Sequence, residues 1–147
     1  MREILFRGKD FSGVINHNWC FGSLDTTEND RTIIIYFDRF GNKCRIFVDP
    51  STIGEYTGLK DKNGKMLFEG DIVKNDWCFI KGNSIVRFGE YKSLDSSNDY
   101  QCGHLGFYLE HISDFNKRTV RKDIMYFANK CEIIGNVFDN PEMLKEG

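Results

Sequence analysis

The sequence predicts a mainly β protein built from short antiparallel hairpins, and three observations carry that prediction. First, Ala occurs once, at Ala128, against 14 Ile, 13 Phe and 6 Val. The strongest helix former is almost missing, while residues that suit a pleated surface abound. Second, apolar residues recur at every other position in several short runs, with turn residues between them. Third, Asp49 to Lys74 packs a Pro and two Gly-centred turns into one segment. Asn63-Gly64 lies between Tyr56 and Leu59 on one side and Met66 and Phe68 on the other. Such a dipeptide predicts a two-residue type I′ hairpin turn.

The elements follow in order. Glu3 to Arg7 reads as a first strand, and Phe11 to Leu24 as near-alternating, with Trp19, Phe21 and Leu24 facing the core. Asp25 to Arg31 is a polar loop. Thr32 to Asp38 holds the apolar run Ile33 to Phe37. Gly41-Asn42 then turns the chain, and Lys43 to Asp49 returns with Cys44, Ile46 and Val48 on one face. Pro50 ends that strand, because it cannot donate to a ladder. Glu69-Gly70-Asp71 is a second turn, launching Ile72-Val73, with Asp71 as its cap. Lys81-Gly82-Asn83 reads as a turn before the strand Ser84 to Tyr91. Lys92 to Gly103, polar and rich in Ser and Asp, reads as a loop. Gly106 to Ile112 and Cys131 to Phe138 read as strands, with Asp123 to Phe127 a short helix or bent strand between them. Asn140 and Pro141 start a short C-terminal helix over Glu142 to Lys145, pressing Met143 and Leu144 onto the core.

The 147 residues suit a single domain: extra strands over 1–49, then a barrel-like part and the short helix over 50–147. A Gly-Asp-Ile-Val entry into a strand after a tight turn suggests, by fold analogy, that Thr52 to Phe138 closes into a small SH3-like barrel.

Formal charge is −2, so no global field draws the chain to nucleic acid or to an anionic membrane. No run approaches the ~20 apolar residues of a membrane span, and the charged opening Met1 to Arg7 is unlike a signal peptide. Five cysteines, at positions 20, 44, 78, 102 and 131, form no C-x-x-C pair. They read as reduced thiols of a cytoplasmic protein, serving mostly as small buried hydrophobes.

By this point the motifs are recognisable. Arg2 to Gly8 opens the chain. Trp19 is followed by Phe21-Gly22-Ser23-Leu24. Thr52-Ile53-Gly54-Glu55-Tyr56-Thr57-Gly58 runs through Asn63-Gly64 to Phe68-Glu69-Gly70-Asp71-Ile72-Val73. Gly106-Phe107 follows, then Ile134-Gly135-Asn136-Val137-Phe138-Asp139-Asn140-Pro141-Glu142. In that order over nearly the whole chain, these blocks resemble the YopX family of phage and prophage proteins. Glu55 stands where the family more often has Gln. The resemblance implies a mostly β protein of a temperate phage or integrated element, acting in the bacterial host's cytoplasm, with no established activity and no catalytic residues to carry over.

Chemistry-bearing clusters are few. Cys102 and His104, with His111 seven residues on, could ligate a metal or pair a nucleophile with a base. The spacing lacks the paired ligands of a structural zinc site and any group that would orient a base. We therefore assign no metal, no cofactor and no catalytic residues. No G-x-S-x-G, Walker or dinucleotide loop is present. Glu55, Glu69 and Asp71 read as turn chemistry and solvated surface rather than an acid–base pair.

Two basic clusters remain: Lys60, Lys62 and Lys65 on the hairpin tip near Tyr56, and Lys117, Arg118, Arg121 and Lys122 near Phe115. They are the candidate interaction surface. Asp61, Asp114 and Asp123 interrupt them, which favours a solvated face over a nucleic-acid patch. The sequence thus favours a non-enzymatic module that binds a protein partner or itself. A nucleic-acid-binding β barrel is the alternative, and a Cys102–His104 enzyme a second one.

Overall fold

The computed structural model of the chain describes residues 3–26, 31–77, 80–94, 101–112, 121–124 and 128–145. Among these residues the regular structure is almost entirely strand. β1 is Phe6–Lys9, β2 Trp19–Asp25, β3 Ile33–Phe37, β4 Lys43–Phe47, β5 Gly54–Lys60 and β6 Met66–Phe68. β7 is Asp71–Trp77, β8 Ile80–Leu94, β9 Gln101–His111, β10 Arg121–Asp123 and β11 Cys131–Asn136. The first six form one sheet in the order β4-β3-β2-β1-β5-β6, and the rest a second in the order β10-β9-β8-β7-β11. Every register recorded between these strands is antiparallel. Among the described residues neither sheet closes on itself, so the SH3-like barrel expected over Thr52 to Phe138 is not confirmed. Gly54 and Glu55, assigned to that barrel, pair instead with Arg7 and Phe6 of β1.

The chain divides into two compact units, Met1–Gly58 and Leu59–Gly147. In the first, β3 and β4 pair as predicted, from Ile33 opposite Phe47 to Phe37 opposite Lys43. Asp38 holds their turn, its Oδ1 accepting the amides of Phe40 at 2.9 Å and Asn42 at 2.8 Å. Cys20, Ile34, Ile46 and Val48 make the core, with Phe6, Ile15, Leu24, Tyr36 and Ile53 packed against it. Ile34 alone, fully buried, stabilises the unit by roughly 1.5–3 kcal/mol. Gly22 sits where β2 meets β3: a Cβ there would lie 2.1 Å from the carbonyl oxygen of Ile35. An isolated bridge between Asp10 and Val48 ties the end of β4 to the residues after β1.

The phase of β2 corrects the sequence reading. Cys20 and Leu24 face the core, whereas Phe21 is 46 % exposed and Trp19 is half-buried on the opposite face. With period-two alternation, the large aromatics and the small thiol cannot share a face. The thiol won the interior.

In the second unit, Leu67, Val73, Val86, Leu109, Ile124, Ala128 and Cys131 form the core. β8 and β9 pair continuously from Ser84 opposite His111 to Leu94 opposite Gln101. The ladder therefore consumes both ends of the expected 92–103 loop, and 95–100 lie outside the described residues. The turn expected at Lys81-Gly82-Asn83 is strand: Gly82 pairs with Asn75 and Asn83 with Lys74. The ladder runs on to Trp77 opposite Ile80. Of the segment expected as helix or bent strand, only Asp123 and Ile124 are described, Asp123 ending β10.

The β5–β6 turn also differs from prediction. Gly64 has φ +79°, but Asn63 is not in the left-handed region, where the non-glycine residues are Asn16 and His17. The amide of Gly64 donates to the carbonyl of Asp61 at 3.0 Å, and the amide of Asp61 to the carbonyl of Lys65 at 2.8 Å. This is a turn with Asp61 first and Gly64 last, the arrangement in which a single left-handed glycine suffices. The Asp71 turn is as predicted, its Oδ2 accepting the amide of Phe68 at 2.8 Å.

At the C-terminus the expected helix is only a 3-10 turn, Pro141–Lys145. Asn140 does not cap it through its side chain. Its Oδ1 accepts the amide of Asn136 at 3.3 Å and sits where Gly135 leaves room, since a Cβ at Gly135 would lie 2.5 Å from it. The strand register shifts between Ile133 and Gly135, a bulge at the glycine. Met143 is half-buried and Leu144 exposed, so the pair does not pack as a unit.

Candidate functional site

Of the two predicted basic clusters, the structure describes the side chains of the first, on the β5–β6 hairpin. Lys60, Lys62 and Lys65 are exposed on the β5–β6 hairpin, and Lys62 Nζ lies 3.8 Å from Glu132 Oε2. Tyr56 is buried, at 4 % exposure, so it is not displayed. Burial, then the charge of Glu3, pushes its phenol up. Arg121 and Lys122 stand on β10 opposite Glu110 and Leu109 of β9, while Lys117 and Arg118 lie outside the described residues.

The hairpin itself is anchored rather than presented. Asp61 is buried, and its carboxylate accepts three amides. Oδ1 takes those of Asn63 and Lys65, both at 2.9 Å, and Oδ2 that of Ile133 in β11 at 3.0 Å. The amide of Lys62 donates to the carbonyl of Cys131 at 3.0 Å. Burial works to raise the Asp61 pKa. The amides of Ile133, Lys65 and Asn63, with the charge of Lys65, outweigh it and hold the carboxyl below its usual range.

The cysteine readings divide. Cys20 and Cys131 are buried free thiols. Burial and then the charge of Asp10 push Cys20 up to about 11. Burial and then the charge of Asp61 do the same for Cys131, to about 11. Neither is an activated nucleophile. Cys102 and His104 sit on β9 opposite Ser93 and Tyr91. His111, further along β9, lies beside Gly82, where a Cβ would be 3.1 Å from its Nε2. Among the described residues no three His, Cys, Asp or Glu side chains gather as a metal would require.

What the structure does assemble is a surface that cluster-hunting along the chain missed. The face of β1–β4 opposite the core is set by register. Lys9 stands opposite Trp19, Arg7 opposite Phe21, Ile35 between Ser23 and Arg45, and Phe37 opposite Lys43. Phe47 stands opposite Ile33. Phe37 is 68 % exposed, Phe21 46 % and Phe47 41 %, and Lys43 and Arg45 are exposed. Cations already lie over its rings. The Arg7 guanidinium carbon is 4.5 Å from the Trp19 centroid and Lys9 Nζ 5.6 Å from it, while Arg31 is 5.2 Å from Phe47. Such contacts show that the rings present electron-rich faces to positive charge. At the β3–β4 turn, Phe40 is 75 % exposed under Arg39, 4.9 Å away. The available signal was period two within each strand: Arg7 and Lys9, Trp19 and Phe21, Lys43, Arg45 and Phe47.

The loop leaving this sheet is tightly built. Asp10 is buried. Its Oδ1 accepts the amide and hydroxyl of Ser12 at 3.0 and 2.8 Å, and its Oδ2 the amides of Ile15 and His17 at 2.7 and 3.3 Å. Burial alone would raise its pKa, but these donors together hold it low. The loop displays Phe11 and Val14, 71 % and 73 % exposed.

Fold and surface define a mainly β protein of two open antiparallel sheets, one of which presents an aromatic and basic face. A family model described as "YopX protein" matches residues 6–145. The chain belongs to the YopX family, as its ordered motifs indicated. No curated protein matches it. Among solved structures it is similar to protein EF1440 from Enterococcus faecalis, at 20 % identity and a TM-score of 0.47, over 99 % of this chain and 100 % of that one. Among the described residues, no helix is long and apolar enough to cross a membrane.

Proposed function

We propose that this YopX-family protein is a non-enzymatic interaction module that acts through the outer face of its first sheet. It works in the cytoplasm of a bacterium carrying a phage or integrated element. One observation carries the reading: Phe21, Phe37 and Phe47 are exposed together on one face of a regular four-stranded array. Single exposed apolar residues are ordinary, but several aromatics on one ordered face mark a binding surface. Aromatic side chains supply large contact area with few rotamers to freeze.

The test is a double variant, Phe21→Ser with Phe37→Ser, compared with the wild-type chain. Both sites are exposed, so thermal melting should change little. Self-association in sedimentation, or partners recovered from cells carrying the element, should be lost with the variant. Identical behaviour of the two proteins in both measurements overturns the proposal.

A further inference from the structure

The charge on this face points to what covers it. Its strand positions carry Lys9, Lys43 and Arg45, with Arg7 buried against Trp19 and Arg31 over Phe47 at one end. The acid at those positions is Asp25, opposite Ile33. Asp38, at the neighbouring turn, is engaged by the amides of Phe40 and Asn42 and by Asn42 Nδ2. The face is therefore positive although the whole chain has a formal charge of −2. A second copy of the same face would bring like charges together, which opposes self-pairing there. A polyanion is the complement, and the rings specify which kind. Duplex nucleic acid keeps its bases stacked inside, out of reach of rings on a flat sheet. A single strand offers base faces and phosphates together.

We propose, resting on the interaction-surface reading above, that the outer face of β1–β4 binds a single-stranded polynucleotide. Its bases stack on Phe21, Phe37 and Phe47, and its phosphates meet Lys9, Lys43 and Arg45. Ser23 and the indole N–H of half-buried Trp19 are the neutral hydrogen-bonding groups at these strand positions. The surface thus has little with which to read base edges or a 2′-hydroxyl, and binding is tolerant of sequence and sugar.

The test uses the full chain and labelled oligo-thymidine and oligo-uridine of about twenty nucleotides, followed by fluorescence anisotropy at low salt. Both strands should bind, within about threefold of each other, since nothing reads the 2′-hydroxyl. A matched duplex should bind much more weakly. Phe21→Ala and Phe37→Ala should each weaken single-strand binding about fivefold or more while leaving the melting temperature unchanged. Lys43→Gln should lower the salt slope of binding by about one. Absence of binding at low salt overturns the proposal, because the electrostatic contribution is largest there. So does duplex binding as tight as single-strand binding, or ring variants that bind like wild type. If no polynucleotide binds yet the double ring variant loses self-association or a protein partner, the interaction surface stands and only its nucleic-acid occupant is wrong. If neither is seen, both readings fall.

Discussion

Asp61→Asn should destabilise the protein in a way that acid partly conceals. In the wild type, Oδ1 accepts from Asn63 and Lys65, and Oδ2 from Ile133 at 3.0 Å. An asparagine can keep its oxygen toward Asn63 and Lys65. Its amide then points a donor at the donor of Ile133. The substitution removes one charge-assisted bond, leaves a part-buried N–H unsatisfied, and weakens the other two bonds. With ~1.5–3 kcal/mol for a bond to a charged group and ~1–3 for an orphaned donor, partly overlapping, the loss at neutral pH is about 3 kcal/mol. For a chain of this size that lowers the melting temperature by about 6–12 °C. The folded-state pKa of Asp61 is lowered, so its ionised form contributes stability that is complete above the unfolded-state value of about 3.9. That contribution is lost as pH falls through the folded-state value. The wild-type advantage should therefore be full near neutrality and shrink below about pH 4. Asp10 and Asp38 also have lowered pKa values, but both proteins contain them and their effects cancel in the difference. Thermal melts of both proteins across this range decide the matter. Melting temperatures that coincide at neutral pH, or a gap that does not narrow in acid, refute the carboxylate staple.

Other substitutions read different parts of the fold. Gly22→Ala should prevent normal assembly of the first unit, because its Cβ meets the Ile35 carbonyl oxygen at 2.1 Å; a far-ultraviolet spectrum and melt like wild type would contradict the β2–β3 register. Gly64→Ala has open space around it but φ +79°, so it should cost only about 1–2 kcal/mol, measurable by urea unfolding. Gly135→Ala displaces Asn140 and should loosen the C-terminal turn first, seen as faster amide exchange over 136–143. In the native protein, Cys44 should be alkylated by iodoacetamide well before Cys20 or Cys131, which mass spectrometry can follow.

The sequence was most legible where chain neighbours decide the outcome. β3 and β4 are adjacent, flanked by polar residues, and joined by a turn with Gly41 at φ +81°. Asp71 caps a turn within its own segment for the same reason. Legibility failed where distant residues decide. The phase of β2 depended on whether Cys20 or Phe21 fits against Ile34 and Ile46, which large-residue preference alone misjudges. Asp61 looked like a break in a basic cluster because its third partner, Ile133, lies 72 positions away. The candidate surface was hidden likewise. Its aromatics and cations are scattered between Arg7 and Phe47, and only strand pairing gathers them. Lys60, Lys62 and Lys65 stand out in the sequence because they lie within six residues of one another.

The Asp10 loop bears on which surface positions of this protein are free to vary. One buried carboxylate takes four donors from three residues, while His17 Nδ1–H reaches the Asp10 carbonyl at 3.0 Å. The backbone beneath Phe11 and Val14 is thus fixed before anything touches those side chains, and binding there freezes little further motion. Neither side chain supplies a hydrogen bond to the scaffold. Positions 11 and 14 can consequently vary widely while the loop keeps its shape. The loop is in this sense a socket whose two displayed residues can be exchanged without rebuilding what holds them.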